Sequence, residues 1–510
     1  MRALISVYDK TGLEAFARGL ADLGFELVTS GGTAASLTEL GVDVTRVEDV
    51  THAPEMLGGR VKTLHPRIHG GILARRDKAE DAAALAEQEI EPFDLVCVNF
   101  YPFSSAVAKR GVDEEQAVEM IDVGGPSMLR AAAKNFEHVT PVSSPEQYEQ
   151  VLEELREDGR LSRETRRRLA AQAFAMTAAY EAAIAAWFSD DRHFPETLTL
   201  SFTKVQDLRY GENPHQRGAY YKETGARRDL LSKVEQLGGK ELSFINLYDL
   251  NGALLLLREF TLPSCVIVKH ANACGVAVAS TIEEAYERAL ASDPLSAFGM
   301  VCAVNRPVTG ALGRRVAEQF ADVVYAPDYD DDSLAALRTR TALRILADHD
   351  RRAFAPGERD LRRVLGGLLV QDRDWDVEDR ESMRVVAGRL TEEQWGDLLF
   401  AWRVCKHIGS NAVVLAKGLQ TIGIGAGQQS RVDAVRIALE KARQHEHDLL
   451  GSVLASDAFF PFADGPELAL ASGVAAVIQP GGSKRDDEVL AAVESAGASM
   501  VFTGRRHFRH

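Results

Sequence analysis

Short apolar runs alternate with helical patterns over the first hundred residues of the chain. Residues 2–8 form an apolar run typical of a buried strand, and Gly12–Leu23 carries leucine, phenylalanine and alanine at helical spacing. A second apolar run, Phe25–Thr29, precedes another helical pattern, and Asp94–Phe100 predicts a further buried strand. This order of strands and helices predicts an α/β domain with a parallel sheet.

An alanine-rich helical pattern, Arg163–Phe188, predicts a long helix that closes this domain. The polar segment Ser189–Thr197 follows it, so we predict a domain boundary near residue 195. A charged stretch, Asp348–Arg363, predicts a second division. The predicted parts are residues 1–195, and residues 196–510 with lobes 196–355 and 356–510.

The segment Val266–Gly275 has an unusual pattern, because its apolar run ends in two ionisable residues, Lys269 and His270. It predicts a buried strand that carries both side chains at its end. Since placing charge next to a buried strand costs free energy, we interpret this segment as the chemical centre of the second domain. The alternative is that both side chains only end the strand and face water, as most charged residues do.

Composition and charge narrow the possible functions. The net charge of -16 disfavours general binding to nucleic acid or acidic membranes, but it permits local basic pockets for phosphorylated small molecules. The five cysteines are scattered without a CxxC pair, which favours free thiols in a reducing compartment. The N-terminus lacks a signal-peptide pattern, and no uncharged apolar run reaches the ~20 residues that span a bilayer. We expect a cytoplasmic protein.

Two strand-to-helix junctions in the first domain carry groups that suit a phosphate. Lys10 and Thr11 follow the first strand, and Ser30 to Thr33 form a Ser-Gly-Gly-Thr turn after the second. Glycines and hydroxyl groups at a helix N-terminus can present several donors to an anion. Serine, threonine and glycine are also ordinary capping and turn residues, so both interpretations stay open.

The segment Arg60–Gly71 is rich in cations and histidines. We expect its glycines to shape a loop that can approach an anionic ligand, although a solvated surface would have a similar composition. His65 and His69 have the i, i+4 spacing of a zinc helix. Pro66 disfavours helical backbone at the preceding residue and no Glu follows His65, so the sequence argues against a metal site.

Polar residues also follow the later strand of the first domain. Tyr101 comes just after it, and Asp122 precedes a glycine turn and a helix that is predicted to begin at Pro126 and end near Lys134. Ligands of open α/β sheets bind at strand ends, so these side chains are candidates for proton transfer. Each of them taken singly could be structural.

Further motifs mark the second domain. Asn246 is predicted to precede an apolar helix, and Lys406–Ala412 to precede a strand. The glycines of Thr421–Arg431 suggest a dinucleotide site, but the third glycine of the G-x-G-x-x-G fingerprint is missing. The acidic run Asp328–Asp332 is interpreted as a solvated loop.

These motifs resemble, in order, those of the bifunctional purine-biosynthesis enzymes that combine phosphoribosylaminoimidazolecarboxamide (AICAR) formyltransferase with IMP cyclohydrolase. The cyclohydrolase half is matched by SVYDKTG, SGGT, RVKTLHP, NFYPF and DVGGP. The formyltransferase half is matched by LRYGENPHQ, VKHAN, SDPLSAFG, GIGAGQQSR, FFPFAD, PGGSKRD and the basic C-terminus. The resemblance covers essentially the whole chain. Ala273 and Met300 depart from the usual residues, which concerns loop shape rather than chemistry.

The resemblance implies both fold and activity. It implies a doubly wound parallel α/β domain like methylglyoxal synthase, followed by two α/β lobes like cytidine deaminases, whose own zinc signature is absent here. It implies formyl transfer from 10-formyltetrahydrofolate to AICAR ribotide, then ring closure of formyl-AICAR ribotide to IMP. No metal is expected, the partner is a second copy in a homodimer, and neither nucleic acid nor membrane is expected as a partner.

The resemblance also implies roles for single residues. For formyl transfer they are Lys269, His270 and Asn411, and for ring closure Lys62, Tyr101, Asp122 and Lys134. The implied substrate-binding residues are Lys10, Thr11, Ser30, Gly32, Thr33, Arg60, Arg209, Tyr210, Asn246, Phe298, Asp322, Arg431, Phe462, Arg506 and His510. Two alternatives for the first domain stay open, namely a sensor of a phosphorylated metabolite and a lyase of the methylglyoxal-synthase type.

Overall fold

The computed structural model describes residues 1–101, 103–107, 111–189, 194–224, 234–349, 358–377 and 379–510. These residues form two compact units. The first consists of Met1–Thr203 with a short segment that begins at Glu223, and the second of Lys204–Lys222 with the described residues from 234 to His510. The predicted division between residues 355 and 356 lies outside the described residues.

The first unit contains a five-stranded sheet surrounded by helices. Its strands are β1 (Arg2–Val7), β2 (Glu26–Thr29), β3 (Thr45–Arg46), β4 (Leu95–Asn99) and β5 (Thr140–Val142). Its helices are α1 (Leu13–Asp22), α2 (Gly31–Glu39), α3 (Val47–Thr51), α4 (Pro66–Leu73), α5 (Ala79–Glu87), α6 (Phe103–Val107), α7 (Glu114–Glu119), α8 (Gly124–Lys134), α9 (Tyr148–Asp158) and α10 (Arg163–Phe188), with 3₁₀ turns at Leu57–Gly59 and Pro145–Gln147.

All neighbouring strands of this sheet are parallel, in the order β3-β2-β1-β4-β5. Because side chains of a strand alternate between faces, Ala3 and Ile5 of β1 belong to one core and Leu4 to the other. Helices α1 and α9 cover the first face, and α4, α8 and α10 the second. The predicted doubly wound α/β domain is confirmed.

Helix α10 is long and apolar enough to cross a membrane by length and composition alone. Its side chains Ala173, Tyr180 and Ile184 are buried in the core of the first unit. It therefore packs as the closing helix that the pattern predicts.

The second unit contains many short strands and eight helices among its described residues. Its strands are β6 (Phe202–Leu208), β7 (Gly218–Glu223), β8 (Glu235–Gly238), β9 (Ser264–Lys269), β10 (Asn272–Val278), β11 (Met300–Val304), β12 (Ala321–Ala326), β13 (Arg344–Ala347), β14 (Arg359–Val364), β15 (Gly367–Asp372), β16 (Arg384–Ala387), β17 (Val413–Ala416), β18 (Thr421–Gly425), β19 (Val453–Ser456), β20 (Ala476–Gln479) and β21 (Ser499–Phe502). Its helices are α11 (Phe244–Leu257), α12 (Ile282–Ser292), α13 (Gly310–Glu318), α14 (Asp331–Arg338), α15 (Glu392–Lys406), α16 (Arg431–Gln444), α17 (Asp464–Ala471) and α18 (Asp486–Ser495), with a 3₁₀ turn at Arg380–Ser382.

Two six-stranded sheets of this unit repeat the same topology. Their orders are β10-β9-β11-β12-β13-β8 and β18-β17-β19-β20-β21-β16, and corresponding neighbours have the same relative direction. In each sheet a helix, α11 or α15, precedes the hairpin. Both helices pack in one apolar core between the sheets. The second unit is therefore an internal duplication, in agreement with the predicted α/β lobes.

The two sheets meet at their hairpins. The amide of Val278 in β10 donates to the carbonyl of Leu419 at 3.0 Å, and Ala277 bridges to Gln420. The amide of Val276 donates to the hydroxyl of Thr421 at 2.9 Å. The junction of the lobes therefore runs along β10, the strand that follows Lys269 and His270.

Two local expectations are corrected by the structure. The segment expected as a loop at Arg60–Gly71 becomes helix α4 from Pro66 onward. A proline fits the first helical position, where its missing N–H is not needed, and the His65 ring accepts from the Arg67 amide at 3.2 Å. Asn246 lies inside α11 rather than before it, because Ser243 caps the helix and Asn246 completes a capping box.

Candidate active sites

In the first unit, the carboxyl ends of β1, β2 and β4 lie side by side at one edge of the sheet. The side-chain oxygen of Asn99, at the end of β4, accepts from the amides of Tyr8 and Asp9 at 2.7 and 2.9 Å. The hydroxyl of Thr33 accepts from the amide of Val7 at 3.0 Å and donates to the Val7 carbonyl at 3.1 Å. The loops after β1 and β2 are thus held together.

These loops contain the predicted phosphate-binding residues. Ser30 is the N-cap position of α2, and its hydroxyl lies 3.2 Å from that of Ser6. Gly31 has a φ of 47°, so the backbone of the first turn adopts a conformation that favours glycine. Lys10 and Thr11, in the loop after β1, are exposed. Thr33 is buried, and its hydroxyl is hydrogen-bonded to the backbone of Val7. Thr33 therefore holds together the two loops, which we call the phosphate cradle, and Lys10, Thr11 and Ser30 can face a ligand.

Lys62 reaches the same turn from a distant part of the sequence. A Cβ atom placed on Gly31 would lie 3.1 Å from the Lys62 ammonium nitrogen. The ammonium forms ion pairs with Glu55 at 2.6 Å and Glu48 at 3.6 Å. Arg60 instead forms an exposed ion pair with Glu119.

Asp122 lies at the start of α8. Its carboxylate accepts from the Gly125 amide at 2.9 Å, and its own amide donates to the Tyr180 hydroxyl at 2.7 Å. Burial raises the pKa of Asp122 above its ordinary value, although backbone amides of the helix N-terminus oppose the shift. The side chain is thus suited to exchange a proton.

Tyr101 and Lys134 are placed differently. The ring of Tyr101 packs edge-on against Tyr8, with centroids 4.3 Å apart, so it borders the loop after β1. Lys134 is exposed in the last turn of α8. At 1.5 Å per residue the helix separates it by about 15 Å from the end that carries Asp122. The structure does not bring Lys134 together with Lys62 and Asp122.

In the second unit, Lys269 and His270 lie at a tight hairpin turn between β9 and β10. His270 and Ala271 have φ values of 53° and 63°, in the left-handed region. The buried carboxylate of Asp249, from α11, accepts from the Ala271 amide at 2.6 Å and so holds the turn. Burial raises the pKa of Asp249 despite this hydrogen bond. The imidazole of His270 is exposed.

The Lys269 ammonium is held by two backbone carbonyls. It donates to the carbonyl of Phe298 at 2.7 Å and to that of Gly299 at 3.1 Å. Lys269 and His270 line a cavity of about 280 Å³, whose wall also contains Asn272, Cys274, Asp293, Ser296 and Lys441. An ammonium has three N–H donors, so the two carbonyls leave one for a ligand.

Two further predicted residues lie next to those carbonyls. The exposed ring of Phe298 stacks on Phe320 with centroids 4.6 Å apart. The amide of Gly299 donates to the Phe320 carbonyl at 2.7 Å. Asp322 follows two residues later in β12. Phe298 therefore borders Lys269, and Asp322 lies in the strand that follows Phe320.

The half-buried Asn411 and the buried Arg431 form a polar cluster. Arg431 donates to the side-chain oxygen of Asn411 at 2.6 Å and forms an ion pair with Asp457. The Asn411 amide donates to the carbonyls of Gln428 and Gln429 at 2.8 and 3.1 Å. Both side chains are thus engaged with protein groups.

This cluster is attached to the turn. The side-chain oxygen of Asn272, at the start of β10, accepts from the Gly409 amide at 2.8 Å. Gly409 lies two residues before Asn411, so the polar cluster is connected to the hairpin that carries Lys269 and His270.

Of the predicted residues, only Lys269 and His270 line this cavity, and the others lie elsewhere. Arg209 lies over the ring of Tyr210 at 6.0 Å, Arg485 over Phe462 at 4.8 Å, and Arg506 over Phe508 at 4.7 Å. Asn246 is buried in its capping box. His510 lines a second cavity, of about 350 Å³, together with Tyr248, Lys406 and His407.

Sequence reasoning missed four residues that organise this site, namely Asp249, Asp293, Lys441 and Asp457. Asp249 had a signal, because a carboxylate inside the apolar helix sequence LYDLNGALLLL needs a buried partner. Asp293 lies in the SDPLSAFG motif, but its contacts with Lys441 and His445 had no signal, and neither did Asp457, since these partners are distant in the sequence.

The arrangement around Lys269 and His270 suits transfer of an acyl group to a weak amine. An ammonium oriented by carbonyls can stabilise a developing oxyanion, and an imidazole can accept the proton of the attacking amine. In the first unit, a helix N-terminus with hydroxyl groups can hold a phosphate, while Lys62 and Asp122 provide an ammonium and a proton-exchanging carboxyl group.

Comparisons with known proteins match both units. A family model described as "AICARFT/IMPCHase bienzyme" matches residues 132–441, and one described as "MGS-like domain" matches residues 12–127. A protein named "Bifunctional purine biosynthesis protein PurH" from Magnetococcus marinus is 51% identical over 100% of this chain and 99% of its own length. Proteins of the same name from Acidithiobacillus ferrooxidans and Persephonella marina are 49% and 48% identical, with the same coverage.

Proposed function

This chain belongs to the AICARFT/IMPCHase family of bifunctional purine-biosynthesis enzymes, and from that premise we propose which of its residues carry out the two reactions. As a member it catalyses the last two steps of purine biosynthesis, AICAR formyl transfer and the IMP cyclohydrolase reaction. We assign ring closure to domain 1–195 and formyl transfer to domain 196–510, with lobes 196–355 and 356–510.

For formyl transfer, the co-substrate is 10-formyltetrahydrofolate and the acceptor is the amine of AICAR ribotide. The amine attacks the formyl carbon, a C–N bond forms, and the bond to the folate nitrogen breaks. His270 accepts the amine proton and returns it to the leaving folate nitrogen. The free N–H of Lys269 stabilises the oxyanion of the tetrahedral intermediate. The observation that carries this assignment is the Lys269 ammonium, held by two carbonyls beside His270 in one cavity.

The other residues of this half have supporting roles. Asn411 and Arg431 hold the segment attached to the turn through Asn272, since their polar groups bond to protein atoms. The residues proposed for the nucleotide and its phosphate are Arg209, Tyr210, Asn246, Phe298, Asp322, Phe462, Arg506 and His510. The planar fork of arginine matches phosphate oxygens.

For ring closure, the carboxamide nitrogen of formyl-AICAR ribotide attacks the formyl carbon of the same molecule. The C–N bond forms and the former formyl oxygen leaves as water. Lys62 stabilises the oxyanion, and Asp122 and Tyr101 exchange protons with the nitrogen and the leaving oxygen. Because the reaction is intramolecular, holding the phosphate at Lys10, Thr11, Ser30 and Gly32 can supply much of the acceleration. Thr33, Arg60 and Lys134 stay predicted contributors.

Both reactions, as proposed, proceed without a metal. The chain acts as a homodimer in the cytoplasm, and its five cysteines are free thiols, which accords with a reducing compartment. We propose that a second copy completes the formyl-transfer site, because Arg506 and His510 lie outside the cavity of Lys269. Mixed dimers of Lys269→Ala and Arg506→Ala chains then regain part of the activity that each variant lacks.

Separate assays test the two assignments. The purified protein is incubated with AICAR ribotide and 10-formyltetrahydrofolate, and tetrahydrofolate and IMP are followed together. We expect Lys269→Ala and His270→Ala to stop both products while supplied formyl-AICAR ribotide is still cyclised. Lys417→Ala is the matched control, because Lys417 follows the corresponding strand of the other lobe and bonds to Asp448 and the Leu450 carbonyl.

The converse result is expected in the first unit. Lys62→Ala and Asp122→Asn release tetrahydrofolate but accumulate formyl-AICAR ribotide, whereas Lys78→Ala, an exposed lysine elsewhere in the unit, behaves as wild type. If Lys62→Ala and Asp122→Asn cyclise at the wild-type rate, the assignment of the first-unit site is wrong and a ligand-sensing role for that cradle gains support.

A further inference from the structure

The loop between α12 and β11, residues 293–299, supplies the carbonyls that hold Lys269. These belong to Phe298 and Gly299, at 2.7 and 3.1 Å from the ammonium nitrogen. The position of the ammonium in the cavity therefore depends on the conformation of this loop.

Asp293, at the first position of the loop, organises it. One carboxylate oxygen accepts from the Ser296 amide at 3.0 Å and the other from the Ser296 hydroxyl at 2.7 Å. The amide of Ala297 donates to the Asp293 carbonyl at 3.2 Å. These bonds close a turn that directs the following carbonyls toward Lys269.

The other lobe holds Asp293 from the opposite side. Lys441 of α16 lies 2.8 Å from one carboxylate oxygen and His445 lies 3.0 Å from the other. His445 caps the end of α16, one turn after Lys441, so both reach the same carboxylate. Lys441 also donates to the Ser296 hydroxyl at 3.2 Å.

The contact between Asp293 and His445 is mostly shielded from water. The side chains of Asp293 and His445 are 10% and 7% exposed. Burial opposes ionisation of Asp293, but hydrogen bonds from Lys441 and Ser296 outweigh it and lower the pKa of the carboxyl group. Asp293, Ser296 and Lys441 line the same 280 Å³ cavity as Lys269 and His270.

We propose that Lys441, together with Asp293 and His445, positions the formyl-transfer site, because the three side chains fix the 293–299 loop and, through its carbonyls, the ammonium of Lys269. The inference rests on the proposed role of Lys269. It assigns to α16 of the second lobe a function in the site of the first lobe.

The test compares Lys441→Met with Arg436→Met. Arg436 is on the same helix, but it is exposed and pairs only locally with Asp433 among the described contacts. Both variants therefore lose one positive charge from α16 and gain the same side chain. For each purified full-length variant, kcat and KM of formyl transfer are measured, and cyclisation of supplied formyl-AICAR ribotide is the internal control.

We expect Lys441→Met to lower kcat of formyl transfer by up to about 100-fold, the loss associated with a displacement of about 1 Å at a reacting group. KM for AICAR ribotide should change little, cyclisation should be unaffected, and Lys441→Arg should restore part of the rate. Arg436→Met should match wild type in every assay.

Three outcomes would overturn the proposal. One is a kcat for Lys441→Met within twofold of wild type, and another is an unchanged kcat with a raised KM, which would make Lys441 a substrate contact. The third is equal losses in Lys441→Met and Arg436→Met. If Lys441→Met does not fold, His445→Ala removes one bond of the same network and Ser296→Ala removes the two bonds of its hydroxyl, and both are expected to lower kcat to a smaller extent. If Lys269→Ala transfers the formyl group normally, the proposed role of Lys269 has failed instead.

Discussion

Gly299 provides the sharpest test of how Lys269 is held. Its φ of 75° lies in the left-handed region, and a Cβ atom there would come within 2.6 Å of the Lys269 ammonium nitrogen. Gly299→Ala therefore adds a single methyl group at the point where the loop approaches the lysine. The methyl group and the ammonium cannot both keep their places.

The expected loss of formyl-transfer rate in Gly299→Ala follows from this distance. Ordinary contact begins at about 3.4 Å, so the nitrogen must move by nearly 1 Å. A misplacement of this size at a reacting group can lower the rate by about 100-fold, and each factor of ten corresponds to about 1.4 kcal/mol of activation free energy. The left-handed backbone adds a cost to folding of roughly 1–2 kcal/mol for a residue with a Cβ atom.

The two effects can be separated with a matched glycine. Gly451 has a φ of 77°, and a Cβ atom on it would meet no atom within 4 Å. Gly451→Ala therefore has the same backbone strain without the contact to Lys269. Both variants should unfold at similarly lowered temperatures, but only Gly299→Ala should lose formyl transfer, measured as tetrahydrofolate release. Cyclisation of formyl-AICAR ribotide should continue in both.

Transfer near the wild-type rate in both Gly299→Ala and Gly451→Ala would refute this reasoning. It would mean that the carbonyls of the 293–299 loop do not set the position of the reactive ammonium. If both variants lose formyl transfer, the loss is caused by backbone strain and not by the contact with Lys269.

Three further outcomes follow from the structure. Asp457→Asn leaves the buried guanidinium of Arg431 without its counter-charge, which should reduce the free energy of unfolding of the second unit by about 3–5 kcal/mol, and an unchanged denaturant midpoint would contradict it. Burial raises the pKa of Asp122 above its ordinary 3.8, so if its carboxylate is the base, kcat/KM of cyclisation should fall with decreasing pH through that raised pKa; an acid limb at or below pH 3.8 would contradict it. Burial raises the pKa of the Cys274 thiol to about 12, so iodoacetamide at pH 8 should label it only after unfolding, as mass spectrometry can show.

The duplication of the second unit gives Lys269 a counterpart in the other lobe. Lys269 and Lys417 stand at the ends of the corresponding strands β9 and β17. Lys269 donates to a carbonyl just before β11, and Lys417 donates to a carbonyl just before β19. Lys417 also pairs with the exposed Asp448. The same backbone scaffold therefore carries the ammonium that we propose as reactive in one lobe and a surface ion pair in the other.

Much of the fold could be predicted from the sequence. The strands β1, β2 and β4 and the helix α10 lie where apolar periodicity predicts them, because that pattern depends on which face of a local element is buried. The ordered motifs identified the family, and the end of β9 at Lys269 was visible as an apolar run that stops at a charge. The start of α4 at Pro66 was missed, because a proline that disfavours helix before it also begins one.

Only the tertiary structure decided how the reactive groups are held. No local pattern indicates that Lys269 bonds to the carbonyls of Phe298 and Gly299, or that Lys441 meets Ser296 across 145 residues of sequence. It also separated Lys134 from Asp122 by the length of a helix. The physical reason is that periodicity records which side of an element is buried, whereas the partner of a polar side chain is chosen by how distant elements pack.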